Sequence, residues 1–191
     1  MNDGRFIDPS PSMEIDTGRL IVAAPGNAYG FLQRSVQLIV LVEDDAAITV
    51  TLGRMTDVPL AGMIDPWVPL SGKPHAFFAG GMANRRSVIG IATGHGVDLE
   101  FTRCPGVGII RVEGDPARYI DTIGQARFYL GCNAMGLDDL RAGIDAGQFR
   151  LLDGTSDLVF APRTVDIWRE CMRMLPGAAP LWSTFTPYDE N

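Results

Sequence analysis

The sequence predicts a single α+β domain, and three observations carry that expectation. The chain has 191 residues of which 46% are hydrophobic, close to the usual size of one domain and enough to bury a substantial core. Short runs of strand composition fill the first half, whereas helix-period patterns interrupt the second. There is no regular strand–helix alternation of the kind that builds a parallel sheet, and no internal repeat.

The elements follow in order. Residues 1–16 mix Asn, Asp, Ser and Pro with few clustered apolar groups and are expected to be a flexible segment ahead of a domain over 17–191. Leu20-Ile21-Val22-Ala23-Ala24 is continuously apolar and closes at Pro25-Gly26, the mark of a buried strand ended by a turn. Residues 36–42 read as a second strand. After the charged turn Glu43-Asp44-Asp45, Ile48, Val50 and Leu52 alternate with Thr49 and Thr51, so these two strands are expected to form a hairpin. Four prolines make 55–74 a long connection with at most a short turn at 60–64. Residues 76–78, 88–91 and 107–112 each have strand composition. Asp115-Pro116 starts a short helix carrying Tyr119, Ile120 and Ile123. A strand follows over 127–132, then a helix marked by Leu137, Leu140 and Ile144 and stopped at Gly147. Residues 149–152 and 158–160 read as short strands. The final helix, near 164–175, places Val165, Trp168, Cys171, Met172 and Leu175 on one face and charged residues on the other, a core-facing stripe.

Composition narrows the function. Sixteen basic residues against 23 acidic ones give a formal net charge of -7, a field that repels phosphate backbones and anionic lipid surfaces. Neither a leader-like apolar region nor a run approaching the roughly 18 apolar residues of a membrane span is present, so the reading is cytoplasmic. Cys104, Cys132 and Cys171 are widely spaced and odd in number, which fits buried thiols better than a disulfide framework or a metal knuckle.

No familiar catalytic motif survives inspection. Gly106-Val107-Gly108 runs into a strand where a dinucleotide fingerprint needs a helix. Ser71-Gly72-Lys73-Pro74 lacks the upstream glycine of a phosphate loop and has proline after the lysine. His75 and His95 are too few for a metal site, which takes three or four ligands, and no cofactor is expected. Asp138-Asp139 suits the dipole of a helix start.

The run Arg127 to Leu140, with Cys132-Asn133-Ala134-Met135 at its centre, leads through Asp157-Leu158-Val159-Phe160-Ala161-Pro162 to Asp166-Ile167-Trp168. It is similar in order and spacing to the YqgE/AlgH family of small bacterial proteins. Thr17 to Pro25 resembles that family's opening strand, and Phe31, Arg34, Ser35 and Val36 match its Phe-x-Arg-Ser-Val segment apart from one residue of spacing. Gly80-Gly81 falls where relatives read Gly-Gly-Pro-Val, and Ser183 to Pro187 with Asn191 resembles the end. Gly53-Arg54-Met55 replaces the usual Asn-Arg-Pro, and Gly131 to Met135 replaces Gly-Tyr-x-Gly-Trp, so the chain reads as a divergent member. The resemblance implies a curved, largely antiparallel sheet with helices packed on it. It implies no reaction, because the family has no agreed biochemical activity, and it attaches a regulatory association.

The expected function is therefore that of a noncatalytic cytoplasmic binding protein or indirect regulator. The rival class is an enzyme with an unrecognised site for a small anionic substrate. The candidate ligand residues are Arg34, Ser35, Arg54, Gly80, Gly81, Arg85 and Arg86. Two glycines after an apolar strand let the backbone approach a group closely and expose N–H donors, and arginines supply charge for a carboxylate or phosphate. A protein partner or a small anion is expected, and direct nucleic-acid binding is not.

Random duplex DNA at physiological salt is expected to show no shift with micromolar protein in a mobility assay. A salt-dependent shift at or below that concentration would restore the direct-regulator reading.

Overall fold

The computed structural model describes residues 14–26, 32–177 and 179–184. Most of the expected flexible segment, Phe31 and the terminal stretch from 185 lie outside the described residues. Residues 14–16 are tied down: Glu14 and Asp16 pair with Arg103, and Ile15 packs on the core beneath the first helix.

Ten strands form one curled sheet in the order β10-β1-β2-β3-β9-β6-β8-β7, with β4 and β5 on a branch. β1 (Arg19–Ala23), β2 (Val36–Val42) and β3 (Ala46–Thr51) make the expected apolar strand and hairpin. Leu38 pairs with Val50 and Gln37 with Thr51. β1 and the first five residues of β2 are buried on both faces, and that is why, apart from Arg19 and Gln37, they read as apolar runs rather than alternating ones. Leu20, Val22, Leu38 and Val40 face one core cluster, and Ile21, Ala23 and Ile39 face another.

β9 (Ile123–Gly136) is the longest strand and joins the two halves of the sheet. Its first part pairs antiparallel with β6 (Ala83–Gly94), and Asn133 to Gly136 pair with β3. β5 (Ala76–Ala79) lies parallel to it at Tyr129 and Leu130, and β4 (Met55–Pro59) pairs with β5. β7 (Leu99–Phe101) and β8 (Cys104–Ile110) close the far edge beyond β6. All other neighbouring strands are antiparallel.

Helices cover the sheet. α1 (Leu137–Asp145) lays Leu137 and Leu140 on Ile21, Ile39 and Phe149, beside β10 (Phe149–Asp153). α3 (Ile167–Met174) buries Trp168, Cys171 and Met172 on the other face, as the stripe predicts. A short α4 (Ala179–Trp182) follows.

Three sequence expectations are corrected. Met55–Pro59 is a strand, not part of a connection; it pairs irregularly at the edge, where prolines are tolerated. Residues 158–160 are not a strand: Ser156–Val159 is a helical turn, α2, whose Thr155 hydroxyl accepts from the Leu158 amide. The helix opened by Asp115 is a single 3-10 turn, Pro116–Tyr119, and Ile123 belongs to β9.

Arg127 of β9 anchors α2. Its buried guanidinium donates to the carbonyls of Val159, Phe160 and Ala161 at 3.0, 2.9 and 2.7 Å and lies over the rings of Phe78 and Phe160.

A polar knot centres on Tyr119. Tyr119 is fully buried against Trp67, and its hydroxyl donates to Asp98 at 2.5 Å. Asp98 also accepts from the Arg111 amide at 2.8 Å and pairs with Arg118 at 3.2 Å. Burial pushes the Asp98 carboxyl up, but the Tyr119 hydroxyl, the Arg111 amide and the two arginine charges together hold it below its ordinary value.

A carboxylate with a depressed folded-state pKa stabilises the protein above its unfolded pKa, about 3.9, and loses that contribution as pH falls through the folded value. Asp98→Asn is therefore expected to lower the urea midpoint at pH 7, with a gap from the parent that closes as pH drops below about 4. A gap that widens on acidification would contradict this account.

Candidate functional site

At the end of the β2–β3 hairpin the chain forms a cleft of about 190 Å3 between the entry to β2, the exit from β3 and the start of α3. Arg34, Ser35, Arg54, Asp166 and Trp168 supply its polar and aromatic wall. Three sequence segments meet here because Val36 begins β2, Thr51 ends β3 opposite Gln37, and α3 packs on β1 and β2 with Ile167 against Gly53 just past β3.

Arg34 has φ +49, in the left-handed region that residues with a Cβ rarely occupy. Its guanidinium bonds Asp166 at 3.0 Å and lies 4.2 Å from the centre of the Trp168 ring. Strained backbone of this kind persists only when its surroundings over-determine it, and it gathers at ligand sites. Trp168 is itself fixed, donating from Nε1 to the Ala23 carbonyl at 2.7 Å. Asp166 caps α3 by accepting the Arg169 amide at 3.1 Å, and its other oxygen lies 3.3 Å from the Arg169 Nε. Asp166 thus answers to two arginines. Arg54, half-buried where the chain leaves β3, has its pKa lowered by burial, so its charge is incompletely solvated there. Ser35 is buried, and its hydroxyl has no hydrogen-bond partner among the described residues.

The structure divides the seven candidate residues. Arg34, Ser35 and Arg54 share the cleft; Gly80, Gly81, Arg85 and Arg86 do not line it. The Gly80 amide donates to the Leu130 carbonyl at 2.8 Å, and its carbonyl accepts from the Thr51 amide at 2.8 Å. A Cβ on Gly80 would come within 2.2 Å of the Gly131 oxygen, and one on Gly81 within 2.0 Å of the Cys132 carbonyl carbon. These glycines allow two backbones to touch, and the Gly80 N–H is already committed. Arg85 and Arg86 are exposed on a stretch of β6 that bulges between the Ala83–Cys132 and Val88–Leu130 pairs. The start of α3 escaped the sequence reading, which saw Asp166 only as a charge on the helix's polar face. Its place immediately before the apolar stripe, as an N-cap carboxylate, is the signal that points to it.

The cysteines and histidines lie outside this cleft. Burial pushes the Cys104 thiol up to about 11 and, with the Glu170 charge, the Cys171 thiol up to about 12, which leaves little thiolate at neutral pH. His75 Nδ1 lies 2.7 Å from the Ser71 hydroxyl, which also donates to the Val68 carbonyl. Among the described residues no group of three His, Cys, Asp or Glu is placed to hold a metal, and no helix is long and apolar enough to cross a membrane.

A profile described as AlgH-like matches residues 20–180 of this chain. The chain belongs to the AlgH-like family. A UPF0301 protein of Corynebacterium glutamicum is 30% identical over 178 residues, covering 90% of this chain and 94% of its own length. One from Streptomyces coelicolor is 27% identical, covering 88% and 91%. Among solved structures, protein DIP2367 of Corynebacterium diphtheriae superposes with a TM-score of 0.84 at 28% identity, over 97% of this chain and all of that one. The AlgH protein of Pseudomonas aeruginosa superposes at 0.61 with 13% identity, over 90% and 94%, and shares the fold. The AlgH-like family is one of uncharacterised function, so the site is read from its own geometry.

Replacing Trp168 with Ala is expected to destabilise this AlgH-like domain by about 3–5 kcal/mol, the range for large-to-small core changes. The ring packs the core, and its loss also leaves the Ala23 carbonyl unpaired. A melting temperature within about 2 °C of the parent would show that the ring is not a core element.

Proposed function

We propose that this AlgH-like protein is a noncatalytic, cytoplasmic binding protein that takes a small anion in the Arg34–Arg54 cleft and acts on regulation indirectly. The observation that carries this reading is Arg34 itself. A strained arginine lies over the Trp168 ring, a second, partly desolvated arginine shares the cleft, and the buried Ser35 hydroxyl that also lines it has no partner among the described residues. Stacking presents a guanidinium edge to carboxylate or phosphate oxygens, the geometry in which charge-assisted bonds are strongest. The cleft of about 190 Å3 is smaller than the roughly 300–1,000 Å3 of sites for drug-sized ligands. Its occupant is therefore a molecule of a few heavy atoms.

Binding is favoured over catalysis by the company Ser35 keeps. A serine nucleophile needs an adjacent base, and among the described residues no histidine lines the cleft. Its carboxylate, Asp166, is engaged by Arg34, Arg169 and the helix start. The acidic net charge of -7 favours an indirect regulatory role over a grip on DNA.

Calorimetry with phosphate, sulfate and malonate is expected to show millimolar or tighter binding that Arg34→Ala and Arg54→Ala each weaken by about tenfold, one charged hydrogen bond's worth. Arg85→Ala combined with Arg86→Ala should bind like the parent. Loss of binding in that double variant alone would move the site to the β6 bulge, and silence from all three anions would end the anion reading.

A further inference from the structure

The cleft that offers positive charge to an anion also holds a carboxylate in place. One oxygen of Asp166 accepts the Arg169 amide at 3.1 Å as the cap of α3, and the other bonds Arg34 at 3.0 Å and lies 3.3 Å from the Arg169 Nε. Both oxygens are thus tied down, yet the side chain keeps 45% of its surface exposed. An anion received by Arg34 therefore shares that guanidinium with a fixed negative charge.

The charges can be counted. Among the described residues, those that line the cleft and carry charge are Arg34, Arg54 and Asp166, two positive and one negative. Arg169 is outside the lining and offsets only part of the Asp166 charge. The attraction of such a wall grows in proportion to the charge of the ligand, whereas the cost of taking an ion out of water grows as its square. A doubly charged ligand thus brings about four times the desolvation cost for about twice the attraction, and one of its charges is left unmatched. Solvation in the cleft is poor enough for this to decide the outcome, since burial already lowers the pKa of Arg54.

The rest of the lining sets the character of the ligand's body. Val36, Leu52, Val165 and Ile167 offer apolar contact. The Ser35 hydroxyl, on a residue 2% exposed and with no partner among the described residues, lines the same cleft and has one hydrogen bond to give an anionic head. We propose that the cleft selects a singly charged small acid with a short apolar body, propionate and butyrate being simple examples, and that Asp166 is the residue that disfavours doubly charged anions. This inference rests on the anion reading above and narrows it.

Matched pairs of probes isolate the charge. Methanesulfonate and sulfate are both tetrahedral and nearly equal in size, and propionate and malonate share a carbon count; near neutral pH the first of each pair is singly charged and the second doubly. In calorimetry on the parent protein the singly charged member should bind about tenfold more tightly than its partner, the scale of one unmatched charge in a partly solvated site. Asp166→Asn removes the charge and keeps a good helix cap, and Asp166→Ser does so with a hydroxyl, so at least one of them should melt close to the parent. In that variant the doubly charged members should gain more than the singly charged ones and bring the ratio near one. If anions bind the parent but the doubly charged member is held as tightly as its partner, or if removing the Asp166 charge leaves the ratio in place, this inference is wrong and the anion site stands. If none of these four anions and no inorganic phosphate binds the parent, both readings fall together.

Discussion

The structure depends on one contact between backbones that no side chain separates. Gly80 and Gly81 lie against Gly131, Cys132 and Asn133 of β9, so closely that a methyl group at either glycine would overlap main-chain atoms. β9 leaves β6 and takes up β3 at this point, and Gly131, at φ +69, supplies the turn of backbone that the change requires. The Gly80 carbonyl and amide bond β3 and β9 across the same point. Without the close approach, the Gly80 bonds to Thr51 and Leu130 that tie the end of β3 to β9 at this point would be lost.

Much of the fold was legible from periodicity. The β2–β3 hairpin announced itself through alternating threonines and a charged turn, and α3 through its apolar stripe. Other elements were hidden for identifiable reasons. β4, Met-Thr-Asp-Val-Pro, mixes apolar and polar residues with a proline at a sheet edge, where incomplete burial leaves no clear period. Leu158-Val159-Phe160 is an apolar triplet, and so short a run does not distinguish strand from helix; the Thr155 cap settles it. β9 extends beyond its predicted limits on both sides because its outer residues, Gly124, Gln125, Asn133 and Gly136 among them, are recruited by neighbouring strands rather than by their own β-propensity.

The site was half legible for a related reason. Arg34, Ser35 and Arg54 come from the two ends of one hairpin, and residue type was enough to single them out. Asp166 and Trp168 reach the same cleft from more than 100 residues farther along the chain, a neighbourhood created only by packing α3 on the sheet. Gly80-Gly81 was noticed for the right property, backbone exposure, but the group that approaches is β9 rather than an external anion.

Arg127 has a consequence for how this chain can change over time. Its acceptors are three successive main-chain carbonyls, and carbonyls are supplied by every amino acid alike. The side chains at 159–161 can therefore drift, within the limits of their packing, without loosening the corner that holds α2 to the sheet. Arg127 has no such latitude, because a lysine ammonium lacks the flat, multi-pronged donor set that spans three oxygens and stacks between aromatic rings. The junction is also indifferent to acid, since no carboxylate in it can be neutralised. In a lineage of AlgH-like sequences this corner should appear as an arginine that does not change, facing residues held only by the demands of packing.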